Sequence, residues 1–180
     1  MNELNKITPL VRVTETPDPL ASLFKKLGIG ALTYAHRPVF TVEEGRDIKE
    51  RIPGGHTKNL FLKDKKDAYW LVTALWDTQI DLKWLPARLD AGRLSFGSAE
   101  RLQAALGVTP GSVTPLALVN DSARQVQPVL DARLIAEEKI NCHPLQNDMT
   151  TALSPQDLVK FMNDMGYNPV IVDFSAAGTN

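Results

Sequence analysis

Apolar residues recur at three- and four-residue spacings in three stretches, and each stretch predicts an amphipathic helix. Leu20, Leu23, Phe24 and Leu27 share one face behind Pro17-Asp18-Pro19, and Gly28 and Gly30 stop the helix. Residues 99–106 follow Ser98, a good N-cap, and end at Gly107. Ser154 and Pro155 supply a cap and a first helical position ahead of Leu158, Phe161, Met162 and Met165, with Gly166 as the stop. A shorter helix start is expected at Thr41, where Glu44 completes a capping box and Ile48 offers a buried anchor.

Strand-sized apolar runs lie between these helices. Residues 31–36, 57–62 and 69–75 are the first three, and the last two read as a hairpin across the polar turn Asp64-Lys65-Lys66-Asp67. The near-continuous apolar character of residues 69–75 places that strand in the sheet interior. Residues 116–119, 126–130, 134–140 and 170–174 are further strand candidates, with Asp131-Ala132 as a turn and residues 175–180 as a loose tail. Residues 80–85 form a mixed segment that this pattern leaves without an assignment. Helices and strands are intermixed without a βαβ rhythm. The expectation is therefore one α/β (α+β) domain over residues 1–180, a mixed sheet with flanking helices and loose termini.

No apolar run approaches the roughly 18 residues of a membrane span. Residues 1–9 are polar and lack the apolar centre of a targeting signal, so a soluble cytoplasmic protein is expected. The 43% hydrophobic content of these 180 residues is enough for a packed core. A net charge of −1 excludes a generally basic nucleic-acid coat. The single Cys142 excludes an intramolecular disulfide and any cysteine-based zinc or iron–sulfur cluster. Three histidines, His36, His56 and His143, are far apart in sequence and leave little material for a metal site.

The overall charge hides an asymmetry. Between Arg46 and Lys66 stand seven basic and three acidic residues. Arg46, Lys49, Arg51, Lys63, Lys65 and Lys66 are thus candidates to meet nucleic-acid phosphate, the plain alternative being a solvated helix end and a hairpin turn. Lys58 lies in a predicted strand, where it could recognise phosphate or carboxylate or simply face solvent. Asn59 would point to the opposite face. Gly111-Ser112-Val113-Thr114-Pro115 could present free backbone amides to a ligand, or be a tight turn. His143 could orient a ligand or water. Cys142 adjoins it, but strand neighbours face opposite ways, which argues against a thiol–imidazole pair.

Ordered motifs run along the chain. They are Pro38-Val-Phe-Thr-Val-Glu-Glu-Gly45, Pro53-Gly-Gly-His-Thr-Lys-Asn-Leu-Phe-Leu-Lys-Asp-Lys-Lys66, Ser95-Phe-Gly-Ser98, Leu106-Gly-Val-Thr-Pro-Gly-Ser-Val-Thr-Pro115 and Asn141-Cys-His-Pro-Leu-Gln-Asn147. Their combination resembles the YbaK/ProX family of freestanding aminoacyl-tRNA editing domains, and most of all its ProX branch. The resemblance implies a compact domain around a curved mixed sheet that hydrolyses Ala-tRNA(Pro). It implies no cofactor or metal, the tRNA(Pro) acceptor end carrying alanine as partner, prolyl-tRNA synthetase as a further partner, no membrane, and a monomer. The family's lysine falls on Lys58, its glycine loop on Gly111 to Pro115, and its pocket histidine on His143. Asn59, Ser112, Val113, Thr114, Pro115 and Phe40 become substrate-binding candidates. Two places depart from the family pattern: Cys142 stands where an aromatic is common, and Asn147-Asp148-Met149 replaces Asn-Thr-Ala. A deacylase for another small aminoacyl group, Ser or Cys, and a noncatalytic tRNA- or synthetase-binding module are the alternatives.

Overall fold

The computed structural model describes residues 10–41 and 43–178. The reading of residues 1–9 as free of a targeting signal, and the last two residues of the expected loose tail, lie outside them. The three strongly periodic stretches are helices. In α1 (Leu20–Leu27) the buried Leu20 and Phe24 face inward, and Gly28 ends the helix at φ +66°. In α4 (Ala99–Leu106) the Ser98 hydroxyl accepts from Arg101 N at 3.2 Å. In α6 (Pro155–Asp164) the Ser154 hydroxyl accepts from Asp157 N at 3.0 Å, with Pro155 at the first position. Phe24 of α1 meets Phe161 of α6 edge-on, ring centroids 6.2 Å apart.

Among the described residues nine strands form one mixed sheet. The strands are β1 (Val11–Thr14), β2 (Leu32–His36), β3 (Gly55–Lys63), β4 (Tyr69–Leu75), β5 (Ser95–Phe96), β6 (Val126–Asp131), β7 (Ile140–Cys142), β8 (Met149–Leu153) and β9 (Val170–Val172). Their order is β1-β2-β8-β7-β3-β4-β6-β9, and β5 pairs with part of β3. β3 and β4 form the expected antiparallel hairpin, and β4 lies between β3 and β6 in the interior. Alternation divides the apolar residues between two cores. Phe61, Leu71 and Leu130 join the core under α1, α4 and α6, while their neighbours Leu62, Val72 and Val129 face the other.

One junction in this sheet is very short. β3 and β7 run parallel but pair only at Gly55 with Ile140 and at His56 with Asn141. Four antiparallel-linked strands, β1-β2-β8-β7, are thus joined to the rest through two residues of β3. The site described below lies at this junction.

Several expectations need correction. Residues 116–119 belong to a 3-10 helix, Pro115–Asn120, in place of a strand. Thr114 caps it by accepting from Leu116 N at 3.3 Å, and Pro115 sits at its first position. Most of residues 134–140 are likewise not strand. Asp131 caps α5 (Ala132–Ile135) by accepting from Arg133 N at 3.0 Å, so the supposed turn is a helix start. β1, β8 and the short helix α3 (Pro86–Leu89) have no counterpart in the sequence reading. The expected loose tail begins inside a 3-10 helix, Phe174–Gly178. The helix expected from Thr41 starts later, as α2 (Arg46–Lys49). Thr41 and Glu44 still make a reciprocal pair: Glu44 N donates to the Thr41 hydroxyl at 3.2 Å, and the Glu44 carboxylate accepts from Phe40 N at 3.0 Å.

No described helix is long and apolar enough to cross a membrane.

Candidate functional site

All three histidines converge on one cavity, although they are 20 and 87 positions apart in the chain. The sheet order explains it. β2 and β8 carry His36 and Thr150, β7 carries Asn141 and Cys142 and leads into His143, and β3 carries His56 and Thr57. The roof comes from Val39, Gly45 and α2, through Ile48 and Lys49. Arg37 holds the loop beneath this roof, donating to the Glu44 carbonyl at 2.6 Å and to the Asp47 carboxylate at 2.9 Å. The cavity's volume is about 50 Å³.

The junction opens the cavity because of two glycines. Gly54 has φ +110°, and a Cβ there would lie 2.9 Å from the Lys139 carbonyl oxygen. That same oxygen accepts from Gly55 N at 2.9 Å and starts the β3–β7 pairing. One residue on, His56 donates from Nε2 to the Lys49 and Ile52 carbonyls at 3.1 and 3.0 Å, tying the end of α2 to β3. The Thr57 hydroxyl donates to the Asn141 carbonyl at 2.8 Å. Beyond it β3 and β7 no longer pair, and the gap is the cavity.

Electrostatics favour neutral imidazoles here. Burial lowers the pKa of His143 and of His56 below the usual histidine range. His143 donates from Nδ1 to the Met149 carbonyl at 2.8 Å, so its neutral ring carries a lone pair on Nε2. The His36 and His143 rings are 6.5 Å apart, and His36 Nε2 lies 2.8 Å from the Thr150 hydroxyl. Asn141 donates from Nδ2 to the Pro53 carbonyl at 3.1 Å, which orients its amide. Its Oδ1 is buried and has no hydrogen-bond partner among the described residues. A buried acceptor of this kind calls for a donor from water or ligand. Burial pushes the Cys142 thiol up to about 12, so at neutral pH it is no nucleophile. Among the described residues no group of three or more His, Cys, Asp or Glu is arranged to hold a metal ion.

Of the residues singled out from sequence, His143 lines this cavity and so does Lys49. Lys58 is not among the residues that line it, and it alternates with Thr57 and Asn59 along β3. Its ammonium donates to the Thr78 carbonyl, and burial lowers its pKa against the opposing pull of Asp77 and Asp131. Asn59 points the opposite way, as alternation requires, and accepts from the buried Thr73 hydroxyl at 2.8 Å. Gly111, at φ +92°, sits beside the roof: a Cβ would lie 3.7 Å from the Phe40 ring and 3.9 Å from Asn147 Nδ2. Asn147 in turn donates to the Val39 carbonyl at 3.1 Å, and Val39 lines the cavity, so the glycine loop lies near the cavity wall. Ser112, Thr114 and Pro115 are buried, and Val113 packs on the core. The basic run is split. Arg46, Lys49 and Arg51 lie near one end of β3, and Lys63, Lys65 and Lys66 near the other, about 26 Å away for a nine-residue strand. Lys63 pairs with Asp67 at 3.3 Å.

The sequence reading passed over His36, His56, Thr57, Asn141 and Thr150 as site residues. Only their convergence marks them, and that depends on which strands become neighbours.

Comparison with known proteins identifies the family. A model of the aminoacyl-tRNA editing domain matches residues 36–161, which span the cavity and the glycine loop. The prolyl-tRNA synthetase associated domain-containing protein 1 of Bos taurus is 41% identical over 153 residues, covering 82% of this chain and 89% of that protein. The prolyl-tRNA editing protein ProX of Acetoanaerobium sticklandii is 37% identical over 142 residues, covering 78% and 87%. The fold is shared with the solved structure of the hypothetical protein APE2540, at TM-score 0.70 and 19% identity, covering 86% of this chain and 97% of the other. The chain belongs to the aminoacyl-tRNA editing domain family.

Proposed function

We propose that the protein is a trans-editing deacylase that hydrolyses the ester of alanine mischarged on tRNA(Pro). The observation that carries this reading is the cavity of about 50 Å³, lined by histidine, threonine and asparagine side chains in a chain of the editing family. Such a volume accepts a small aminoacyl end and turns away a larger one by steric clash, which is how an editing site spares correctly charged tRNA.

The chemistry needs no protein nucleophile. Water attacks the ester carbonyl carbon, a C–O bond to water forms, and the C–O bond to the terminal ribose breaks. The ribose oxygen leaves with a proton, releasing alanine and free tRNA. Negative charge develops on the carbonyl oxygen, and amides of the Gly111 loop are proposed to stabilise it. The buried Asn141 Oδ1 supplies an acceptor for a proton of the water or of the substrate's amino group. His143, neutral with its lone pair on Nε2, shapes the amino-acid pocket and orients the ribose or water. Lys58 gives one ammonium proton to Thr78 and keeps two for a ribose or phosphate oxygen. Phe40, exposed to solvent, stands beside Gly111.

A second reading, removal of serine or cysteine, is favoured by the Thr57 and Thr150 hydroxyls on the cavity wall. Single-turnover hydrolysis of a panel of tRNAs charged with Ala, Ser, Cys and Pro decides between them. Fastest release of alanine from tRNA(Pro) is expected, with the rate unchanged by chelator. Release of serine faster than alanine transfers the assignment, and no release from any substrate removes the deacylase reading.

A further inference from the structure

The geometry points to a nucleobase-binding cleft built on Trp76, which takes the terminal adenosine of an RNA 3′ end. Trp76 follows the last residue of β4, where its backbone N–H donates to the His56 carbonyl at 2.9 Å. Its side chain is 53% exposed, a large apolar face left open to solvent. It is one wall of an open cleft of about 530 Å³, completed by Glu43, Arg46, Lys49, Glu50 and His56. That volume lies in the range of small-molecule sites. Lys49 Nζ stands 5.9 Å from the centre of the indole ring. A flat aromatic face flanked by a cation is the element on which single-stranded bases stack.

Two further observations narrow the ligand. The cleft carries two carboxylates against Arg46 and Lys49, so its formal charges cancel. This balance disfavours a polyphosphate and suits a base and ribose with a single phosphate. The carboxylates can accept from ribose hydroxyls or an exocyclic amine. The cleft also shares His56 and Lys49 with the histidine cavity. A ligand filling both has a small end of a few atoms joined to a broad planar group. An aminoacyl ester of adenosine has that shape. Joining the two compartments rests on the deacylase reading; base binding in the cleft stands on the cleft alone.

The test is direct binding, followed by indole fluorescence, to the RNA trinucleotide CCA, the dinucleotide CC and ATP. CCA should quench the wild type, and CC should not. Trp76→Ala should weaken CCA binding about tenfold or more, as expected for loss of one base–aromatic stack, and Trp76→Phe should recover most of it. Because Phe lacks indole, the variants are compared by fluorescence anisotropy of labelled CCA, and their melting temperatures confirm folding. Equal binding of CCA by wild type and folded Trp76→Ala overturns the site. So does ATP binding more tightly than CCA, which would assign the cleft to free nucleotides. Hydrolysis is scored separately. Trp76-dependent CCA binding without any deacylation upholds the cleft and removes the deacylase reading, whereas deacylation with Trp76-independent binding does the reverse.

Discussion

Replacing Gly54 by alanine tests whether the β3–β7 junction makes the site. The backbone there has φ +110°, a region that L-residues rarely enter. Forcing alanine into it costs about 1–3 kcal/mol. The new Cβ would also stand 2.9 Å from the Lys139 oxygen, which is backbone and cannot swing aside. Relieving that contact pulls Lys139 away from Gly55 N and gives up a 2.9 Å hydrogen bond, about 0.5–1.5 kcal/mol more. The expected loss is about 1.5–4.5 kcal/mol, or a fall of roughly 3–18 °C in melting temperature for a domain of this size. Urea and thermal denaturation measure it. The part of the molecule that moves carries Asn141, Cys142 and His143, so deacylation in the surviving folded fraction should fall as well. A stability change under about 0.5 kcal/mol, below the least of these contributions, would refute the reasoning from Gly54 to the junction.

Gly111→Ala should behave differently, because its Cβ would meet only ordinary contacts at 3.7 Å or more. Backbone strain alone should cost about 1–3 kcal/mol, while single-turnover hydrolysis falls 100-fold or more; a folded variant at the wild-type rate removes the loop from the mechanism. Lys58→Ala should leave the fold largely intact and slow deacylation by about 10-fold or more through loss of a charge-assisted contact, and a near-wild-type single-turnover rate would count against that role. His143 and His56 both have folded pKa values below the ordinary 6.5. The unfolded chain therefore binds more protons in the window beneath about pH 6.5, and stability is lost as pH falls through it toward the folded values. Melting temperature should be flat from pH 8 to 7 and drop between pH 6.5 and 5, with a smaller drop in His143→Gln; an unchanged drop in that variant means that His143 contributes nothing to it.

The legible parts of the fold are those whose signals are local. Ser98, Ser154 and Gly28 announced three helices, and the polar turn at Asp64 to Asp67 announced the hairpin. Short apolar runs were ambiguous. Residues 116–119 could be strand or helix by pattern, and Thr114 with Pro115 decided for a 3-10 turn. Asp131 decided residues 132–135 in the same way. β8 was hidden by its threonines. Thr151 is buried because its hydroxyl lies 2.8 Å from that of Thr33 on β2, a partner 118 positions away. The site followed the same rule. Strand alternation correctly set Lys58 and Asn59 on opposite faces, and His143 could be singled out beside its Pro144. His36 and His56 looked unrelated because only the pairing of β2 with β8, and of β7 with β3, brings them to His143.

The two-residue junction also dictates when the site can exist during folding. The strands on one side of it come from residues 11–36 and 140–153, while the strands that form their far neighbours, β3, β4 and β6, come from the continuous stretch 55–131. Hairpin β3–β4 closes a short loop and can form early, whereas the pairing of β2 with β8 closes a loop of more than 100 residues. A chain emerging from its N-terminus can pair β1 with β2 but leaves the other edge of β2 without its partner until β8 has been made. The histidines meet only at that late step, so the pocket is among the last things the chain assembles, and hydrolytic competence should lag the first gain of compact structure in refolding.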